Sequence, residues 1–116
     1  QFASGVMDYH ALRLMGSRGL AKAARGETDV AGVSVVKLFG SEAELRLAEH
    51  ALTAAGPDGH MHPALSGPYA HMNLDHYFAS WFERYARSFS GTIAGGTSEI
   101  QRNIIAQQVL GLPRGK

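Results

Sequence analysis

The chain has 116 residues, a formal net charge of +1, 45% hydrophobic and 18% charged residues, and no cysteine. This is the balance of a single globular domain; it excludes a disordered tail, a disulfide framework, a thiol nucleophile and a thiolate metal site. The near-neutral charge leaves no electrostatic footprint for nucleic acid or an anionic membrane, and no apolar run nears the ~18 residues needed to cross a bilayer.

Residues 1–25 read as a helix. Phe2, Val6 and Tyr9 recur at helical spacing, and Met7, Ala11 and Leu14 form a second stripe, so this helix expects neighbours on two sides. Arg18, Lys22 and Arg25 gather on one face of its last turns, where they suit the negative end of the helix dipole, and Gly26 is the stop. The plainest reading of that basic cluster is a solvated helix end. The periodicity is already running at Phe2, directly behind Gln1, so the chain reads as a segment of a longer protein.

Residues 30–55 could open as a strand through Val33, Val35, Val36, Leu38 and Phe39. Continuation into a stripe of Leu38, Leu45, Ala48 and Leu52 favours one long helix. Residues 56–74 carry Gly56, Pro57, Gly59, Pro63, Gly67 and Pro68 and read as a loop. His60, His62, His71 and His76, with Asp58 and Asp75, raise a metal site there. No helical His-x3-His pair orders them, and a polar surface loop is the better reading.

An aromatic helix follows over about 75–89, with Tyr77, Phe78, Trp81, Phe82 and Tyr85. Base stacking would need interleaved positive charge, so packing between helices is favoured. Ser90 to Gly96 reads as small and flexible, and a last helix runs over 98–110, closed by Gly111 and Pro113. The prediction is an all-α, up-down bundle of about four helices in one segment, 1–116. At 12.4 kDa a compact chain would expose roughly 6,100 Å² against ~18,000 Å² unfolded, so about two-thirds of its surface should be buried.

The chemistry concentrates before the last helix. Ser98 and Gln101 have capping-box spacing, and Gly95 and Gly96 let a ligand approach the backbone. The helix start offers free N–H groups and positive potential to an anion, although Gly-Gly before a capped helix is often only a turn. Ile100, Ile104, Ile105, Val109 and Leu110 spread around the helix with no single apolar stripe. That pattern fits a helix wedged between two partners.

The run Ile93-Ala94-Gly95-Gly96-Thr97-Ser98-Glu99-Ile100-Gln101-Arg102-Asn103, continuing to Leu110-Gly111-Leu112-Pro113-Arg114, closely resembles the C-terminal signature of acyl-CoA dehydrogenases. The resemblance covers essentially the whole chain and is most specific in the last third. It implies the C-terminal helical domain of an FAD-dependent enzyme, here without the bundle's first helix, that dehydrogenates an acyl-CoA thioester across its α,β bond. In that chemistry a base removes the α-proton while the β-hydrogen leaves as hydride to the flavin. The resemblance implies FAD contacts at Thr97 and Glu99, and an acyl-CoA contact at the Gly96 backbone. The segment Thr53-Ala54-Ala55-Gly56-Pro57 matches the family's Gln-x-x-Gly-Gly, which meets the FAD of a neighbouring subunit; here Thr53 replaces Gln and Pro57 replaces Gly.

Many members carry the catalytic Glu where this chain has Gly95, and glycine cannot abstract a proton. Two alternatives stay open: a base on an upstream helix, or a non-catalytic subunit of a hetero-oligomeric dehydrogenase. A small stand-alone helical binding module is a third. The resemblance further implies a homo- or hetero-oligomer, an electron-transfer flavoprotein as acceptor and a cytoplasmic setting, and the 116 residues alone are expected to be inactive.

Overall fold

The computed structural model describes residues 2–60 and 81–113. Among them the chain is helical without strands: α1 (Phe2–Ala24), α2 (Val30–Ala54), a 3₁₀ turn (Gly56–His60), α3 (Trp81–Ile93) and α4 (Ser98–Gln108). The expected all-α fold is what the structure shows. None of these helices is long and apolar enough to cross a membrane. Tyr77, Phe78 and the start expected near Asp75 lie outside the described residues, as do His62, His71, His76 and Arg114.

α2 is the hub against which α1, α3 and α4 all pack. It is one continuous helix because Asp29 caps it, its side chain accepting from the Gly32 N–H at 3.0 Å. α1 runs antiparallel to it. A Cβ on Gly5 would come 3.4 Å from Leu47 Cδ1, and one on Gly40 would come 3.2 Å from Leu12 Cδ2. Arg46 reaches Asp8 across the same seam at 3.1 Å. The buried positions of α2 include Ser34, Ser41 and Ala48, small residues seven apart, together with Ala43 and Leu52. The predicted leucine stripe is buried at its Leu52 end and half-buried at Leu38 and Leu45. Small side chains on the contact face let the neighbouring helices approach closely.

α3 meets α2 in the same way, through Ser88 and through Gly91, whose added Cβ would lie 3.6 Å from that of Ser41. Its aromatic residues were expected between helices, yet Trp81, Phe82 and Phe89 face outward. The buried positions of α3 are Glu83 and Ser88, and Gly91 meets Ser41, so the rings are not what this helix buries. Tyr85 and Phe89 stack edge to face at 5.1 Å, and Arg84 covers the Trp81 ring. α3 also runs four residues past its expected end at Phe89, so Ser90–Ile93 is helix and not a flexible stretch. Serine and threonine hydroxyls there turn back onto the helix: Ser90 donates to the Arg87 carbonyl and Thr92 to that of Phe89.

The basic end of α1 is tied into the fold. Gly26, at φ 73°, and Glu27 return their N–H groups to the Ala23 and Lys22 carbonyls. Lys22 bonds the capping Asp29 at 2.7 Å, and Arg25 pairs with Glu27 at 2.6 Å. The Lys22 bond and the Gly32 N–H hold the Asp29 carboxyl below the ordinary aspartate range. A carboxyl lowered by folding stabilises the fold above its unfolded value, and that contribution is lost as pH falls through the folded value. Asp29→Asn, which retains the capping acceptor, should therefore lower thermal stability at neutral pH. The gap from wild type, followed by circular dichroism, should close only as pH falls below about 3.9, the ordinary aspartate value.

The chain exposes 8610 Å², well above the roughly 6,100 Å² expected of a compact protein of its mass. About half of its unfolded surface is buried and not two-thirds. Exposed apolar side chains are dense on α1, where Phe2 is 85% exposed, Met7 70% and Leu20 74%, and α1 has no buried residue.

Candidate functional site

The last helix is entered through a turn that only glycine makes without strain. Gly95 and Gly96 have φ of 69° and 101°, in the region closed to most side chains. Thr97 then turns extended and caps α4, its Oγ1 accepting from the Ile100 N–H at 3.3 Å while its carbonyl accepts from Gln101 N–H at 2.9 Å. The cap is thus one residue earlier than the Ser98–Gln101 spacing predicted. Gln101 is freed from capping and does something else: its side-chain amide donates to the Gly95 carbonyl at 2.7 Å.

Gln101 is 5% exposed, the most buried residue of α4, whereas Ile100 beside it is half exposed. The first turn of the helix thus buries a polar side chain and exposes an apolar one, while Ile104 and Ile105 are half-buried further on. The second carbonyl of the turn is held from another element, for the Lys37 ammonium on α2 donates to the Gly96 carbonyl. Arg102 ties the first turn of α4 to Glu42 of α2 at 2.5 Å. Sequence reasoning missed Lys37 and the role of Gln101. Lys37 lies 59 positions from Gly96, and no local pattern marks such a pairing.

The outer side of the turn is open. A Cβ at Gly95 would meet nothing within 4 Å, while one at Gly96 would come 2.9 Å from Gln101 Nε2. Glu99 stands 78% exposed and 3.9 Å from Arg102. Hydrogen bonding from its own backbone N–H and from Thr97 holds its carboxyl below the ordinary glutamate range. It is therefore an anion and a weak proton acceptor at neutral pH.

The second candidate segment lies elsewhere. Thr53 is exposed, with its hydroxyl bonded back to the Glu49 carbonyl at 2.8 Å. Gly56, at φ 63°, turns the chain into the 3₁₀ helix, and Pro57 sits at its surface. Thr53 is 16 positions beyond Lys37 on α2, a helical rise of about 24 Å, so this segment lies well away from the Gly96 turn that Lys37 holds. The structure does not bring Thr53, Gly56 and Pro57 together with Gly96, Thr97 and Glu99. A single phosphate or ring could not touch both within this chain.

A groove of about 880 Å³ runs between the C-terminal half of α1, the start of α2 and Val109. Its walls are mainly apolar, including Met15, Leu20, Val33 and Val36, and Lys37 stands at its edge. Among the described residues no group of three His, Asp or Glu side chains could hold a metal; His60 and Asp58 lie in the 3₁₀ turn.

Comparison with known proteins places the chain among relatives. The family described as acyl-CoA dehydrogenase, C-terminal domain, matches residues 1–110. A protein of Mycobacterium tuberculosis named acyl-CoA dehydrogenase IpdE1 is 38% identical over 81 residues, 70% of this chain and 18% of its own length. Its namesake from Mycolicibacterium smegmatis is 60% identical over 37 residues, 32% of this chain and 9% of its own length. The chain thus spans less than a fifth of the curated relatives it matches. No solved structure matches it significantly.

Proposed function

The chain belongs to the acyl-CoA dehydrogenase family, as a C-terminal domain of that type, and we propose that it works within an FAD-dependent enzyme that dehydrogenates an acyl-CoA thioester. Its part there is to contribute flavin contacts and subunit assembly. The observation that carries this reading is the Gly95–Thr97 turn at the head of α4: two glycines at positive φ, carbonyls turned inward, and an open outer face.

The residues fit the cofactor. FAD supplies a two-electron acceptor for the departing hydride. The chain's own groups bind and orient. The Thr97 hydroxyl accepts from the Ile100 N–H and donates to the Glu99 carboxylate, so it joins that carboxylate to the helix start. The Glu99 carboxylate, exposed and ionised, suits hydroxyl or amine donors and would repel a phosphate. The Gly96 N–H is the proposed backbone contact to the acyl thioester. Thr53, Gly56 and Pro57, remote from that turn, are proposed to face the flavin of a neighbouring subunit. Thr53 is shorter than glutamine and Pro57 has no N–H, so that contact is weaker than in most of the family. The exposed apolar residues of α1, and Ile100, Val109 and Leu110 on and just beyond α4, support a homo- or hetero-oligomer. An electron-transfer flavoprotein as acceptor and a cytoplasmic setting belong to the same proposal.

Gly95 favours a second reading. With no side chain it can hold no proton, and although the space beside it is open, φ 69° disfavours a glutamate there. A non-catalytic subunit of a hetero-oligomeric dehydrogenase would have this feature. Purification of the full-length protein tests both. Bound flavin that bleaches on anaerobic addition of acyl-CoA supports the catalytic reading, and flavin that bleaches only with a partner subunit supports the second. Absence of flavin in every form, or turnover by the 116 residues alone, would overturn the proposal.

A further inference from the structure

Two donors on different elements grip successive carbonyls of one turn. Gln101 of α4 takes the Gly95 oxygen and Lys37 of α2 takes the Gly96 oxygen. Both peptides are trans, so each N–H lies opposite its carbonyl. Holding the Gly95 carbonyl inward aims the Gly96 N–H outward, and holding the Gly96 carbonyl inward does the same for the Thr97 N–H. The Thr97 N–H, at the N-cap, is one that a helix start leaves without a helical partner, and together with the Gly96 N–H it is what the turn can offer to a ligand.

Neither donor is needed where it stands for the sake of its own helix. A surface lysine ordinarily keeps its ammonium in water, yet Lys37 is half-buried and spends it on a backbone carbonyl. Gln101 is nearly fully buried for the same end. Thr97 alone would cap α4 without either residue.

We propose that Lys37 and Gln101 are the positioning residues of the Gly95–Thr97 turn, the pair that fixes its outward amides for the flavin and the acyl thioester. This rests on the function proposed above. Without the pair the turn has two flexible glycines and can rotate its peptides, so the amides would no longer be pre-aimed.

Lys37→Met and Gln101→Glu retain nearly the same shape and remove the donor. Made in the full-length protein, each should speed amide exchange at Ala94, Ile100 and Gln101, which flank the turn, by about tenfold, the usual worth of a hydrogen bond of this kind. Exchange at Ala48–Leu52 should stay at the wild-type rate, and less FAD should be retained through gel filtration. Lys37→Arg, which still donates, should restore both readings toward wild type. Unchanged exchange at the three amides would overturn the clamp. Faster exchange with undiminished FAD retention would overturn its role in positioning. Wild-type protein that holds no FAD would instead sink the proposed function, a failure read separately from the exchange rates.

Discussion

Gly96→Ala should cost about 2–4 kcal/mol of stability at the head of α4 and strip most of the bound flavin, whereas Gly95→Ala should cost only about 1 kcal/mol. The two glycines differ in what surrounds them. At Gly95, φ 69° lies in the small left-handed region that other residues visit at modest expense, and an added methyl meets open space. At Gly96, φ 101° lies beyond that region, and the methyl would sit 2.9 Å from Gln101 Nε2 and 3.2 Å from Ile100 Cγ2. Gln101 could swing away, but it is buried and bonded to the Gly95 carbonyl at 2.7 Å, so relief breaks that bond. The strain and the lost hydrogen bond then add. Amide exchange of α4 measures the stability, and the ratio of flavin to protein absorbance measures the cofactor. Equal effects of the two substitutions would show that close packing by Gln101 is not what demands glycine at 96.

The difference between those neighbours was not legible in the sequence. Both glycines read as permission for a ligand to approach, because absence of a Cβ looks the same whether the space is filled from inside or open outside. The helices were legible where periodicity is long. α1 and α2 differ from their expected spans by at most one residue at each end, since their patterns run through several turns and Gly26 closes the first. The face that α1 turns to α2 was not legible: Phe2, Val6 and Tyr9 of one predicted stripe and Met7 and Leu14 of the other are all exposed, and the contact runs through Gly5, Asp8 and Leu12.

What failed depended on partners distant in sequence. Ser34 and Ser41 line the seams of the hub helix with the expected Ala48, but serines carry no apolar signal that a hydropathy stripe can register. On α3, likewise, the buried positions are Glu83 and Ser88, and the rings of Trp81, Phe82 and Phe89 stay exposed. At the site, Gln101 matched a local capping pattern and was assigned to it. The actual cap at Thr97 released it to bond Gly95, and Lys37 joined from another helix. Contacts of that kind are fixed by packing and leave no periodic trace.

Leu52→Ala is the second substitution with a large expected effect, about 2–4 kcal/mol. Leu52 is 6% exposed and is among the few apolar side chains buried within the described residues. The 3₁₀ turn folds back over it: a Cβ on Gly59 would lie 3.5 Å from Leu52 Cδ1 and 2.9 Å from its carbonyl oxygen. Truncation therefore leaves a cavity roofed by a short turn that cannot shift far, because Gly59 already abuts the α2 backbone. Leu47, one helical turn and a half earlier, is 47% exposed and packs on Gly5 of α1. Its truncation should cost roughly 1 kcal/mol, since a half-exposed side chain loses less apolar burial and solvent fills the gap. Hydrogen exchange of the α2 amides around Ala48 reads both values in the same molecule. The 3₁₀ turn carries Gly56 and Pro57, so Leu52→Ala should also loosen the segment proposed to face a neighbouring flavin, whereas Leu47→Ala should not. Equal losses from the two leucines would mean that the α1 seam, and not the roofed pocket under the turn, holds the end of the hub helix in place.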